Sequence, residues 1–250
     1  MRQQAPLNDN TARNIDHTHN SRWETLLSVD DYVGQVVAML RAAGQLDNTY
    51  FLYTSDHGFQ LGQHRLPGDK RHLYEHDIRI PMVMRGPGIK AGSKLDKAVL
   101  NIDVAPTLVD IMTGSVPDDM DGRSFKSLLL ENDNSLAGGT WRTDFMVSYF
   151  GQGKPACGLQ TCPPPSAANF HVNDAYNNTY ACVRSGFDGG PTDTMYCEFA
   201  DDENFIEYYE HDSDPWQLKN LWPAQEKKLA PLKAKLQAFQ QCKGAACRAL

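Results

Sequence analysis

Tyr50-Phe51-Leu52-Tyr53-Thr54-Ser55-Asp56-His57-Gly58 runs an aromatic and aliphatic stretch straight into an acid, an imidazole and a glycine. The stretch reads as a strand buried on both faces, the kind that in a mixed fold lies inside a parallel sheet. Its carboxyl end is the edge where such folds hold ligands. Gly58 permits a backbone conformation or a close approach that a side chain would obstruct, letting Asp56 and His57 turn toward a common point. Alone, a strand end followed by Asp and Gly is a turn before it is a site.

The following segment, Gln63 to Pro81, is dense in charge and leads into the apolar Met82-Val83-Met84, which Arg85-Gly86-Pro87-Gly88 closes with a tight turn. Two strands bracketing a long polar loop frame an anion site, with carboxylates for a metal and Lys70 for an oxyanion. His57, His64, His72 and His76 crowd this loop, where ordinary loop or substrate-facing roles are expected of them ahead of a multi-histidine zinc cluster. Arg79 is expected to secure a local carboxylate such as Asp77.

Farther out, residues 23–43 carry Leu26, Val29, Val33, Val36, Val37 and Leu40 at helical spacing, with Gly44 as a stop. That stripe is expected to pack on the sheet, leaving Asp30 and Asp31 on the solvent side. Asp103 is placed to cap a helix over 104–112, with Pro106 tolerated in its first turn. A short helix begins at Asp121-Gly122-Arg123-Ser124 and ends around Leu130, and 132–140 reads as a connector. Beyond it, 145–149, 179–184, 195–199 and 205–209 predict an antiparallel set of strands, and 225–239 an amphipathic helix that covers it.

At this point the chain resembles the sulfatases. The resemblance rests on T-S-D-H-G-F-Q-L-G-Q-H, D-K-R-H-L-Y-E-H-D-I-R-I-P, R-G-P-G-I-K and L-N-I-D-V-A-P-T-L-V-D-I, in that order, and extends over most of the sequence. It implies an α/β fold: an alkaline-phosphatase-like sulfatase sheet with flanking helices, present in part, followed by a smaller antiparallel α+β lobe. Three regions follow: a poorly ordered leader over 1–22, which includes His17 and His19, the carboxyl-terminal part of the catalytic domain over 23–138, and a cysteine-rich lobe with a terminal helix over 139–250. Asp56 matches an acidic ligand of the sulfatase metal, generally calcium (Ca2+), and His57 takes the adjacent position, which in many sulfatases is Asn. Lys70 matches a lysine that contacts the sulfate group, and His72 and His76 are expected to line the sugar pocket.

The resemblance further implies removal of 6-O-sulfate from N-acetylglucosamine units of glycosaminoglycans, heparan and keratan sulfate among them, by the complete enzyme, and allows a homodimer of it. Formylglycine, made from the Cys of a C-x-P-S-R motif, supplies the nucleophile in sulfatases. The nearest imitation, Cys162-Pro163-Pro164-Pro165-Ser166, lacks the arginine and follows the sugar-site motifs instead of preceding them. The nucleophile is therefore expected in an amino-terminal half that this sequence does not include, and the chain alone is expected to be inactive. Two other readings stand beside this one: a non-catalytic remnant that binds sulfated glycan or a partner through Lys70 and Arg71, and a phosphatase or phosphodiesterase of the same broad fold.

Composition agrees with a globular protein: 250 residues, 41% hydrophobic and 22% charged. A net charge of -7 argues against a general nucleic-acid binder. No apolar run nears the ~20 residues that span a bilayer, and Met1-Arg2-Gln3-Gln4-Ala5-Pro6 lacks the apolar heart of a secretory signal. All six cysteines follow Phe150. Their even number fits disulfides, with Cys157 to Cys162, Cys182 to Cys197 and Cys242 to Cys247 the preferred pairs. Asn177-Asn178-Thr179 is a glycosylation sequon at Asn177. Together with the cysteines it favours a secreted or lysosomal route.

Overall fold

The computed structural model of the protein describes residues 6–68, 70–130, 141–151, 178–187 and 192–250. Two compact units form, one from Met1–Pro87 with Gln152–Tyr176 and the other from Gly88–Gly151 with Asn177–Leu250. Residues 132–140, expected as a connector, lie outside the described residues.

The first unit contains α1 (Asp9–Ala42), β1 (Phe51–Thr54), a short α2 (Glu75–Ile78) and β2 (Met82–Arg85). α1 starts well before the expected position because Asn8 caps it: its side chain accepts from the Thr11 amide at 2.9 Å, and Asp9 sits in the first turn. Residues 9–22, set apart as a leader on sequence grounds, are thus helical. The apolar stripe of α1 does not pack as expected. The helix buries no residue, and Leu26 and Val29 stay 43% and 40% exposed. A sheet of two four-residue strands offers too little surface to cover a helix of 34 residues.

β1 and β2 pair antiparallel, from Phe51 opposite Arg85 to Thr54 opposite Met82. The expected parallel setting for β1 is not found among the described residues, and the strand is only half-buried, with Tyr53 exposed. A short apolar run fixes neither strand direction nor the number of neighbours. Gly86 answers a packing demand here, since a Cβ on it would meet the Tyr50 ring at 2.0 Å. Tyr50 in turn donates from its hydroxyl to the Pro87 carbonyl at 2.8 Å.

The second unit begins with α3 (Val104–Thr113) and α4 (Lys126–Leu129). Asp103 is structural, as the sequence suggests, but not as a side-chain cap. Its fully buried carboxylate accepts from the Leu100 and Arg123 amides and from both terminal nitrogens of Arg142. A buried charge held by a bidentate guanidinium and two amides is the arrangement that offsets its desolvation.

Four strands follow: β3 (Phe145–Tyr149), β4 (Tyr180–Ser185), β5 (Thr194–Phe199) and β6 (Ile206–Glu210), all antiparallel and in sequence order. The last helix, α5 (Leu229–Gln241), lays Leu229, Leu232 and Leu236 on Val183, Tyr196 and Tyr208. Burying each such leucine is worth about 1.5–3 kcal/mol. Cys182 and Cys197 face each other across β4 and β5 and are disulfide-bonded, as are Cys242 and Cys247. Both pairs match the sequence reading, while Cys157, Cys162 and Asn177 lie outside the described residues.

Ion pairs hold α5 to the sheet. Lys235 donates to Asp144 at 2.8 Å and to Ser185 at 2.7 Å. Burial pushes the Asp144 carboxyl up, but Lys235, Ser185 and the Gly186 amide outweigh it and leave the group below its ordinary value. Glu210 is likewise lowered, first by the hydrogen bond from Lys228. A depressed carboxylate stabilises the fold above its unfolded pKa of about 4, and that share is lost as pH falls through the folded value. Lys235→Ala is therefore expected to lower Tm clearly at pH 7 and far less near about pH 2, a difference that thermal melts at the two pH values will read. Burial, with help from Glu210, pushes the Tyr208 phenol up to about 12, so it stays a neutral donor throughout that range.

Candidate functional site

β1 delivers the candidate site at its carboxyl end. Ser55 donates from its hydroxyl to the His57 carbonyl at 2.8 Å, folding the chain back so that Asp56 and His57 stand side by side. The Asp56 side chain is 81% exposed, and its Oδ1 accepts from the His57 amide at 3.1 Å. What desolvation there is pushes its pKa up, yet the Asp56 and His57 backbone amides, the charge of His57 and the Ser55 hydroxyl together hold the carboxyl below its ordinary value. It is an accessible anion. His57 places Nδ1 2.7 Å from the Gly58 carbonyl and Nε2 3.0 Å from Asp56 Oδ2. A carbonyl only accepts, so Nδ1 carries a proton, and the other nitrogen is turned to Asp56.

Gly58 performs the close approach its sequence position suggested. A Cβ there would lie 1.9 Å from the His76 carbonyl oxygen. The Gly58 amide donates to the Asp77 carbonyl at 2.7 Å and Phe59 to His76 at 3.1 Å, so the segment leaving β1 runs against the segment that enters β2. Lys70 is exposed on the loop between the two strands. In the same loop the rings assemble: His64 stacks on Tyr74 with centroids 4.0 Å apart, His72 lies 6.0 Å from Tyr74, and His76 meets His64 edge-on at 6.1 Å. His72 and His76 are partly buried members of this cluster, and Tyr74 at its middle is buried, as is the neighbouring Leu73.

The backbone of this loop is strained. His64 and Arg65 both take positive φ, 54° and 62°, where side chains are disfavoured, and Gly62 precedes them at 93°. Amides of Gly62, Arg65 and Leu66 close the turn through hydrogen bonds inside 62–66.

Two residues that sequence reasoning overlooked lie at the centre. Gln60 and Asp77 are 0% and 3% exposed, and Gln60 donates to Asp77 at 3.0 Å. Arg79, expected to secure Asp77, lies instead against Glu75 at 3.7 Å, one helical turn back, with its own side chain mostly exposed. The available signal was a Gln between Phe59 and Leu61, a polar residue in an apolar setting.

Calcium takes six to eight oxygen ligands. Asp56 offers one carboxylate, and among the described residues no three of His, Cys, Asp and Glu are grouped to hold a metal ion. The described residues therefore do not fit a calcium shell by themselves, nor the multi-histidine zinc cluster.

Residues 2–115 match the family model described as Sulfatase. The chain is 41% identical over 97% of its length to N-acetylglucosamine-6-sulfatase of Bos taurus, of which it covers 44%. It is 40% identical to the enzyme of that name from Homo sapiens, again over 97% of this chain and 44% of the relative. Among solved structures, BT4656 in complex with its substrate D-glucosamine-2-N,6-O-disulfate superposes with a TM-score of 0.66 and 31% identity, over 87% of this chain and 39% of that one. By the match of residues 2–115 to that model and by these relatives the chain is similar to the sulfatases, and it has the alkaline-phosphatase-like fold of its structural neighbour. It is similar to N-acetylglucosamine-6-sulfatases and spans 44% of the length of those two relatives.

Proposed function

We propose that this chain supplies the sulfate-gripping part of a sulfuric ester hydrolase that removes 6-O-sulfate from N-acetylglucosamine units of glycosaminoglycans, heparan and keratan sulfate included. The identity of 41% across nearly the whole chain to an N-acetylglucosamine-6-sulfatase carries the reading. The neighbour whose substrate is a 6-O-sulfated glucosamine supports the sugar class.

The site's own chemistry agrees. Lys70 presents an exposed ammonium to the sulfate group and neutralises charge that builds on its oxygens as the ester bond breaks. His72 and His76, held in the ring stack with Tyr74, line the sugar side. Asp56 contributes one acidic ligand to a calcium site that other segments of the complete enzyme fill out, and His57 orients it. The nucleophile would be a formylglycine, as in sulfatases, contributed by another segment of the complete enzyme. The two disulfides support a secreted or lysosomal setting. Among the described residues no helix is long and apolar enough to cross a membrane.

The test is a pair of assays with N-acetylglucosamine 6-sulfate and its 6-phosphate counterpart. The 250-residue chain alone is expected to release essentially no sulfate. Fused to the amino-terminal half of the human relative, it is expected to release sulfate and not phosphate. Turnover of the phosphate ester alone would replace the sulfatase reading with a phosphohydrolase. Sugar binding without turnover by a folded fusion would favour a glycan-binding remnant.

A further inference from the structure

One buried carboxylate joins the two halves of the candidate site. Asp77 Oδ2 accepts from Gln60 Nε2 at 3.0 Å and from the His72 amide at 3.2 Å. Gln60 lies two residues past Gly58 on the segment that carries Asp56, and His72 lies two residues past Lys70 on the segment that meets the sulfate. The same two segments are joined through their backbones, Gly58 to Asp77 and Phe59 to His76.

Those backbone bonds already hold the segments together. A carboxylate added beside them at 3% exposure carries a desolvation cost that an apolar side chain of similar size would not. What the carboxylate adds is direction. A single oxygen shared by two donors, at 3.0 and 3.2 Å, fixes where both sit relative to one point. His72 is held by its backbone, so the grip sets the path of the chain from Lys70 onward and the plane in which the His72 and Tyr74 rings stack.

We propose that Asp77 and Gln60 are positioning residues: touching no substrate themselves, they set the spacing between Asp56, the sulfate-facing Lys70 and the sugar-facing His72. This rests on the sulfate-ester reading above and goes beyond it, because neither residue belongs to the groups that would meet the ester.

A reciprocal exchange tests it. Asp77→Asn leaves only a neutral amide oxygen to face the two donors, and Gln60→Glu sets two carboxylates against each other. In the double variant a carboxylate and an amide face each other again with their places exchanged, which relieves the repulsion of Gln60→Glu but does not re-pair the His72 amide, since that donor meets the same Oδ2 as Gln60. Binding of N-acetylglucosamine 6-sulfate and of unsulfated N-acetylglucosamine is measured by calorimetry on the 250-residue chain and its variants. Near-ultraviolet circular dichroism follows the fold of each.

Each single variant is expected to bind the sulfated sugar about 10-fold more weakly, the scale of a lost charged hydrogen bond, with the unsulfated sugar little changed. The double variant is expected to bind more tightly than Gln60→Glu alone, because the pairing of residues 60 and 77 is restored. Singles that stay folded and bind like wild type would overturn the inference while leaving the sulfate reading intact. A folded double variant no tighter than Gln60→Glu alone would also overturn it. Absence of any binding of the sulfated sugar by wild type would overturn the reading and the inference together. Should Asp77→Asn unfold, Gln60→Ala, which removes one donor without adding charge, is held to the same 10-fold expectation, roughly the weight of one charge-assisted bond.

Discussion

Lys70→Ala, introduced into the fusion with the human amino-terminal half, is expected to lower kcat/KM for N-acetylglucosamine 6-sulfate by about 10²–10³-fold, the usual effect of removing one fixed group that faces charge developing in the transition state. The ammonium is the one side chain of the loop that the sequence resemblance directs at the sulfate, and it stands exposed at the loop surface. Most of the loss is expected in kcat, because charge on the sulfuryl oxygens grows as the bond to the sugar breaks. Lys70→Arg is expected to restore only part of the rate, since a planar guanidinium does not reproduce a compact ammonium at a tetrahedral anion. Steady-state kinetics on the three proteins decide it. A change smaller than about threefold for Lys70→Ala would take the residue out of the sulfate site, because no group facing that charge has so small an effect.

Gly58→Ala has the largest expected effect on stability. The added methyl would sit 1.9 Å from the His76 carbonyl oxygen, which is backbone and has no rotamer to swing aside. Relief requires the two segments to part, which breaks the bonds from Gly58 to Asp77 and from Phe59 to His76. Overpacking of this kind costs about 1–3 kcal/mol, and the two hydrogen bonds add about 1 kcal/mol each. Gly34 supplies the control. It lies within α1, and a methyl there would meet nothing within 4 Å, so Gly34→Ala is expected to stabilise the helix by about 0.5–1 kcal/mol. Urea unfolding of both variants reads the contrast. A Gly58→Ala protein as stable as wild type would show that the two segments do not run this close.

The strands of the second unit were legible to within a residue or so because each alternates or runs apolar between turn-forming residues. Their pairing followed from their order, and Cys182 opposite Cys197 agreed with it. The first unit was harder to read. Phe51-Leu52-Tyr53 announces a strand, but nothing in three apolar residues says which way the neighbour runs, and the antiparallel pairing with β2 is set by the path of the long loop. The start of α1 was misplaced because the apolar rhythm begins only at Trp23, whereas Asn8 nucleates the helix through one side-chain hydrogen bond.

In the candidate site, Gly58 was readable as either a special backbone conformation or a close approach that a side chain would obstruct, and the fold uses the second. Asp77 was not. From sequence its nearest cation is Arg79, and proximity along the chain suggested that pair. The folded chain turns Asp77 inward to Gln60 and His72, partners 17 and 5 residues away, which no local pattern reports.

The bond between Cys182 and Cys197 has a consequence for side-chain placement across the whole four-stranded sheet. Slipping β4 by one position would swing Arg184 into the leucine layer beneath α5 and evict Val183 from it. With sulfur joining the two middle strands, that misalignment is sterically closed, and the guanidinium stays on the far side with its partner Asp193. A sheet so pinned would keep its two faces distinct even if its covering helix were lifted away.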